Sequence, residues 1–159
     1  MTEEEIPTID DYGYVADVTT RWTDNDVYGH VNNAVFYEYF DSVANKFLIE
    51  EGGLDIHHND VIGLVVESGC QYHAPIEYPA ALRVGLRVNR LGNRSVTYGL
   101  AVFPPLAGAS VPAGGTPSRD VDVAVAHGYF SHVFVDRETR RPVAMPAKLR
   151  AALVGLVVA

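Results

Sequence analysis

From residue 33 onward the chain changes period. Phe36, Phe40, Val43 and Phe47 recur at helical intervals, and Tyr39, Ala44, Leu48 and Ile49 widen the same apolar surface. Glu38, Asp41, Ser42, Asn45, Lys46 and Glu50 supply an opposing polar stripe, and Gly52-Gly53 is a stop signal, so the spacing predicts a helix over 33–52. An apolar surface this broad on one long helix calls for something that wraps around it. The strand candidates provide it. Residues 14–22, 61–72, 81–91, 95–103 and 121–135 are β-branched and aromatic runs, with Gly92-Asn93 as a hairpin turn between the third and fourth. The helix comes early and the strands pair afterwards, which predicts an α+β fold with a curved antiparallel sheet around one central helix. Residues 146–157 read as a short C-terminal helix opening on a proline.

The remaining segments carry little periodicity. Residues 1–13 read as a flexible arm, ordered only where Ile6 and Ile9 find a partner. Residues 104–120 (PPLAGASVPAGGTPSRD) read as a long flexible loop between two paired strands. One domain over 14–159 accounts for the rest, and a chain of 159 residues can bury a real core.

Composition narrows the function classes. At 48% hydrophobic and 20% charged the chain is globular in character, and a net charge of −8 argues against a nucleic-acid surface. Local arginines can still hold an anionic ligand within an acidic total. Cys70 is the single cysteine, in an apolar run that suits a small buried hydrophobe; it excludes an internal disulfide and a cysteine zinc site. The opening MTEEEIPTIDD lacks the basic and apolar regions of a signal peptide, and no run approaches the roughly 18–20 apolar residues of a membrane span. A soluble cytoplasmic protein without membrane contact is the expectation. His57, His58 and Asp60 lack a third spaced ligand, and His127 and His132 fall on opposite faces of a strand, so neither metal nor cofactor is expected. No Gly-x-Ser-x-Gly elbow is present for a serine hydrolase.

The chemistry concentrates in residues 21–40, RWTDNDVYGHVNNAVFYEYF. Turn and cap chemistry explains many of these residue types: Asp and Asn favour turns, Gly29 permits positive φ, and Asn32 or Asn33 can cap the helix. A carboxylate beside a helix N-terminus also places a base or nucleophile next to N–H groups that can hold an oxyanion, which suits acyl transfer at a thioester or ester.

The block Asp24-Asn25-Asp26-Val27-Tyr28-Gly29-His30-Val31-Asn32-Asn33, followed by Phe36-Tyr37-Glu38-Tyr39-Phe40, resembles the signature of the 4-hydroxybenzoyl-CoA thioesterase-like branch of the hot-dog superfamily. Tyr72-His73-Ala74-Pro75 resembles the end of that family's second strand, and Arg90-Leu91-Gly92-Asn93-Arg94-Ser95 its next hairpin. The resemblance implies a single hot-dog domain, an acyl-CoA substrate, and a homodimer or a tetramer built as a dimer of dimers. It places the family's catalytic carboxylate on Asp26, as nucleophile or as general base for water. The backbone N–H near Asn33 becomes the oxyanion donor.

His30 has two readings: orienting the carboxylate, water or substrate, or serving as a buried hydrogen-bonding residue that fixes the loop. Tyr28 departs from the plant acyl-carrier-protein thioesterases, which carry an asparagine there. An asparagine-dependent mechanism is therefore not transferred. Tyr28 and Gly29 are assigned to substrate binding, and Asp24 to structure. Arg90 and Arg94, and less directly Arg87, are candidates for the coenzyme A phosphates, with a solvated hairpin tip as the plain reading; Ser95 is a candidate for the pantetheine arm. Alternatives are a non-catalytic acyl-CoA-binding protein, a carrier-protein thioesterase, and a hot-dog dehydratase or hydratase.

Overall fold

The computed structural model describes residues 5–106 and 120–158. The elements run β1 (Tyr14–Thr19), α1 (Asn33–Glu50), β2 (Val61–Tyr72), β3 (Ala81–Leu91), β4 (Ser95–Phe103), β5 (Ala126–Asp136) and α2 (Ala147–Val154). All strand pairs are antiparallel, in the order β1-β3-β4-β5-β2. The arrangement is the single hot-dog domain that the resemblance implies.

Strand alternation sorts residues between the two faces of the sheet. Val84, Leu86 and Val88 of β3, Val96, Tyr98, Leu100 and Val102 of β4, and Phe130 and Phe134 of β5 join Phe36, Tyr39, Phe40, Val43, Phe47 and Leu48 of α1 in one buried core. Ring contacts bind the layers: Phe40 meets Phe130 edge-on at 6.1 Å, and Tyr37 lies parallel to Phe130 at the same distance. Each such side chain contributes roughly 1.5–3 kcal/mol by leaving water. Ile49 is the exception to the predicted apolar face and remains exposed.

The outer face holds a smaller cluster of Tyr12, Ala101, Phe103 and Ala124, against which Ile6 and Ile9 pack. These are the partners that the arm needed. Ile9 N–H donates to the Asp122 carbonyl at 2.9 Å, and the Pro7 carbonyl accepts from Ala124 N–H at 3.0 Å. The arm's described portion, from residue 5, is thus docked on the sheet through backbone bonds and buried apolar surface.

Boundaries depart from the sequence expectation where other contacts compete for backbone groups. β1 stops at Thr19 because Thr20 turns to bond the Ala80 carbonyl through Oγ1 (2.6 Å) and Trp22–Asp24 form a 3-10 turn. β5 begins at Ala126 because Val121–Val125 serve the arm, with Thr8 bridging Val123, and the segment just after β2, where His73 N–H donates to the Val125 carbonyl. α2 ends at Val154, and the chain then pairs Val157 with Val88. Most of the expected 104–120 loop lies outside the described residues.

Candidate active site

The stretch between β1 and α1 closes on itself. Asn25 and Val31 form a bridge, Asp26 N–H donates to the His30 carbonyl at 2.9 Å, and Gly29 N–H donates to the Asp26 carbonyl at 3.1 Å. Gly29 takes φ +83°, a backbone conformation that L side chains rarely adopt. Val31 is buried and anchors the loop to the sheet, its N–H donating to the Ile76 carbonyl at 2.8 Å. Asn32 then caps α1, its Oδ1 accepting from Ala34 N–H at 3.0 Å.

Asp24 is structural. It is 1% exposed and its carboxylate accepts from the Tyr39 hydroxyl at 2.7 Å, from Arg21 N–H at 2.9 Å and from the Arg21 guanidinium at 3.0 Å. Burial alone would raise its pKa. The Arg21 N–H, the Tyr39 hydroxyl and the Arg21 charge outweigh burial and hold the carboxyl below its ordinary value. The same contact, on top of burial, pushes the Tyr39 phenol well up. Asp24 holds the loop through these bonds.

Asp26 stands differently. Only Tyr28 N–H donates to its carboxylate, at 2.8 Å to Oδ1, which leaves Oδ2 without a hydrogen bond among the described residues. Asp26, Tyr28, His30, Asn33, Phe36, Tyr72 and His73 are among the residues lining one open cleft of about 370 Å³. The first turn of α1 borders it. Ala34 N–H is occupied by the Asn32 cap and Val35 N–H by the Asn32 carbonyl, whereas Asn33 N–H makes no hydrogen bond among the described residues. A donor at a helix N-terminus therefore shares a cleft with a carboxylate. Tyr72 clamps the two walls together, its hydroxyl donating to the Asn33 carbonyl at 2.9 Å and its ring meeting Phe36 edge-on at 5.2 Å.

His30 is not the buried, doubly bonded residue of its structural reading. Its side chain is exposed on the cleft rim, and only its backbone carbonyl holds the loop. Tyr28 is 84% exposed on the same rim. The structure does not bring the arginines to this cleft. Arg90, Arg94 and Ser95 are exposed at the β3–β4 hairpin, closed by Gly92 N–H donating to the Ser95 carbonyl at 2.8 Å, and none of them lines the cleft within one chain. Arg87 lies elsewhere again, 4.9 Å over the Tyr12 ring on the outer face. It borders a larger outer-face cleft of about 810 Å³, which no α-helix N-terminus lines among the described residues.

His73, which the sequence places only at the end of the second strand, also lines this cleft. Its Nε2 stands 2.7 Å from Nδ1 of His127, so His127 pairs across two strands with a cleft residue. The register of β2 against β5, with Gln71 opposite His127, is what brings them together. His132 faces the core, as alternation requires, and burial pushes its imidazole down to about 4. Cys70 is half-buried, and burial raises its thiol to about 11, which fits a packing role. Among the described residues no group of three or more His, Cys, Asp or Glu could hold a metal ion, and no helix is long and apolar enough to cross a membrane.

The model of the thioesterase-like superfamily matches residues 20–153. The chain belongs to that family. The thioesterase-like superfamily assignment makes this protein a thioester hydrolase, consistent with a carboxylate at the head of a helix. Among solved structures, the PA5185 protein from Pseudomonas aeruginosa strain PAO1 is 47% identical over 96% of this chain and 97% of its own, with a TM-score of 0.84. Two distant relatives show the shared fold: the 1,4-dihydroxy-2-naphthoyl-CoA thioesterase Slr0204 from Synechocystis and the gentisyl-coenzyme A thioesterase BH1999. The first is 14% identical, with 89% of this chain and 95% of its own covered and a TM-score of 0.73. The second is 18% identical, with 88% and 99% covered and a TM-score of 0.70. No curated protein matches the chain.

Proposed function

We propose that the protein hydrolyses acyl-CoA or aroyl-CoA thioesters to the free acid and coenzyme A in the cleft at the head of α1. One observation carries this reading: Asp26, with one carboxylate oxygen making no hydrogen bond among the described residues, lines the same cleft as Asn33, whose N–H at the head of the helix also makes none among them. The carbonyl oxygen takes the helix N-terminus, where developing negative charge gains most. Asp26 either attacks the carbonyl carbon, giving an anhydride that water opens, or takes a proton from the attacking water. His30, exposed on the rim, orients water or substrate, and Tyr28 and Gly29 shape the entrance.

A homodimer, alone or doubled into a tetramer, completes the proposal. β2 is an edge strand with Leu64, Val65 and Val66 exposed, an open apolar edge that a second copy would cover. Arg90, Arg94 and Ser95 then serve the coenzyme A phosphates and pantetheine arm from a neighbouring copy, since they do not reach the cleft of their own chain. The test is hydrolysis of a panel of short, long and aromatic acyl-CoAs, followed by thiol release. Turnover by the wild-type protein that disappears in Asp26→Asn supports the reading. Equal turnover in both would remove Asp26 from the chemistry, and no turnover on any coenzyme A ester would point to a carrier-protein substrate.

A further inference from the structure

Thioester hydrolysis involves the attacking water, which gives up a proton, and the departing sulfur, which takes one, and Asp26 serves only the attacking side. When the C–S bond breaks, the electron pair goes to sulfur and an alkyl thiolate must be protonated in a cleft where few groups can do it. The Tyr72 hydroxyl already donates to the Asn33 carbonyl. His30 makes no side-chain hydrogen bond among the described residues. His73 lines the cleft and has a second imidazole bonded to its ring.

The support for His73 is built in two layers. Its backbone is fixed, with His73 and Ala74 N–H groups both donating to the Val125 carbonyl at 2.7 and 3.1 Å. Its ring meets His127 at 2.7 Å nitrogen to nitrogen, with centroids 4.9 Å apart and planes within 18°. Near-coplanar rings at that separation are joined edge to edge by an N–H···N bond, rather than stacked face to face. Such a bond fixes the tautomer and orientation of His73, and it becomes charge-assisted when the pair carries an extra proton. His127 itself borders the outer-face cleft, so the pair spans from the reacting cleft to the other side of the sheet.

We propose that His73 is the acid that protonates the leaving thiolate, and that His127 is a positioning residue acting through it. The inference rests on the thioesterase reading of the same cleft. Along the general-base route, water oxygen bonds to the carbonyl carbon and its proton passes to Asp26, while the carbonyl electron pair moves to oxygen. Collapse restores the C=O bond, expels sulfur with the C–S pair, and takes a proton from the protonated His73–His127 pair to give the thiol. The proton on Asp26 then re-protonates the pair through solvent, and the carboxylic acid product ionises. Along the nucleophilic route the acid step is the same.

Leaving-group dependence tests this directly. The probes are two thioesters of one acyl group, the coenzyme A ester and the 4-nitrothiophenyl ester, whose thiolate departs without help. His73→Gln, a polar near-isostere chosen to keep the fold, is expected to lower kcat/KM on the coenzyme A ester about 100-fold and on the aryl ester less than about threefold. His127→Leu should give the same selective loss in smaller measure, and His127→Asn should recover part of it by restoring a hydrogen-bond partner. Equal losses on both esters, or full activity of His73→Gln on the coenzyme A ester, would overturn the proposal while leaving Asp26 in place. A wild-type protein that cleaves neither ester for any acyl group of the panel would overturn the acyl-CoA reading and this inference with it.

Discussion

Asp24 and Asp26 lie two residues apart in one loop and differ in almost everything that matters. Asp24 is buried, with its carboxylate bonded to Tyr39 and Arg21. Asp26 accepts one N–H and keeps the rest of its carboxylate toward the cleft. The histidines divide the same way, His132 sealed beside Tyr98 and Phe134 in the core and His30 exposed on the rim. Residue type does not distinguish a group that holds the fold from one available for chemistry. Unspent hydrogen-bonding capacity next to space does.

That division predicts separable effects. Asp26→Asn keeps the Tyr28 N–H acceptor but not the charge, so activity should fall on the order of 1,000-fold, about 4 kcal/mol of barrier, with the urea midpoint unchanged. The interior groups should do the reverse. His132 is held neutral by burial, with its pKa lowered from 6.5 to about 4 and Nδ1 unbonded among the described residues. A group depressed in the folded state favours folding above its unfolded pKa, and that contribution is lost as pH falls from about 6.5 toward about 4. It amounts to about 3 kcal/mol, and His132→Leu should flatten this part of the stability–pH curve, measured by urea unfolding at each pH.

Asp24→Asn should cost about 2 kcal/mol of stability at pH 7, less than a fully buried pair because Arg21 is largely exposed. The Asp24 carboxyl is also depressed, so the difference from wild type should shrink as pH falls through its folded value, which lies below 3.8. The smallest effect belongs to the hairpin. Arg94→Ala should raise KM for an acyl-CoA about threefold and leave an acyl-pantetheine substrate unaffected, since only the former carries phosphates.

Much of the fold was legible because its signals were local. The 3.6-residue recurrence from Phe36 to Phe47 and the turn at Gly92-Asn93 needed no knowledge of distant neighbours, and β2, β3 and β4 fall on their expected residues. What was missed depends on contacts remote in sequence. The start of β5 is displaced by the docked arm, 115 residues away from Val123 at Thr8, and His127 gains its meaning from His73, 54 residues distant. Of the site, the loop signature puts Asp26, Tyr28, His30 and Asn33 on one cleft. Arg90, Arg94 and Ser95 stand apart from it, because a hairpin's sequence says what its tip carries and not what that tip faces.

The most direct test of the account measures kcat/KM on an acyl-CoA and the urea midpoint together, for Asp26→Asn and Asp24→Asn prepared side by side. A double separation is expected: Asp26→Asn folded as firmly as wild type and nearly inactive, Asp24→Asn destabilised yet retaining most of its turnover while folded. Wild-type turnover in Asp26→Asn, or abolished turnover in a fully folded Asp24→Asn, would contradict it.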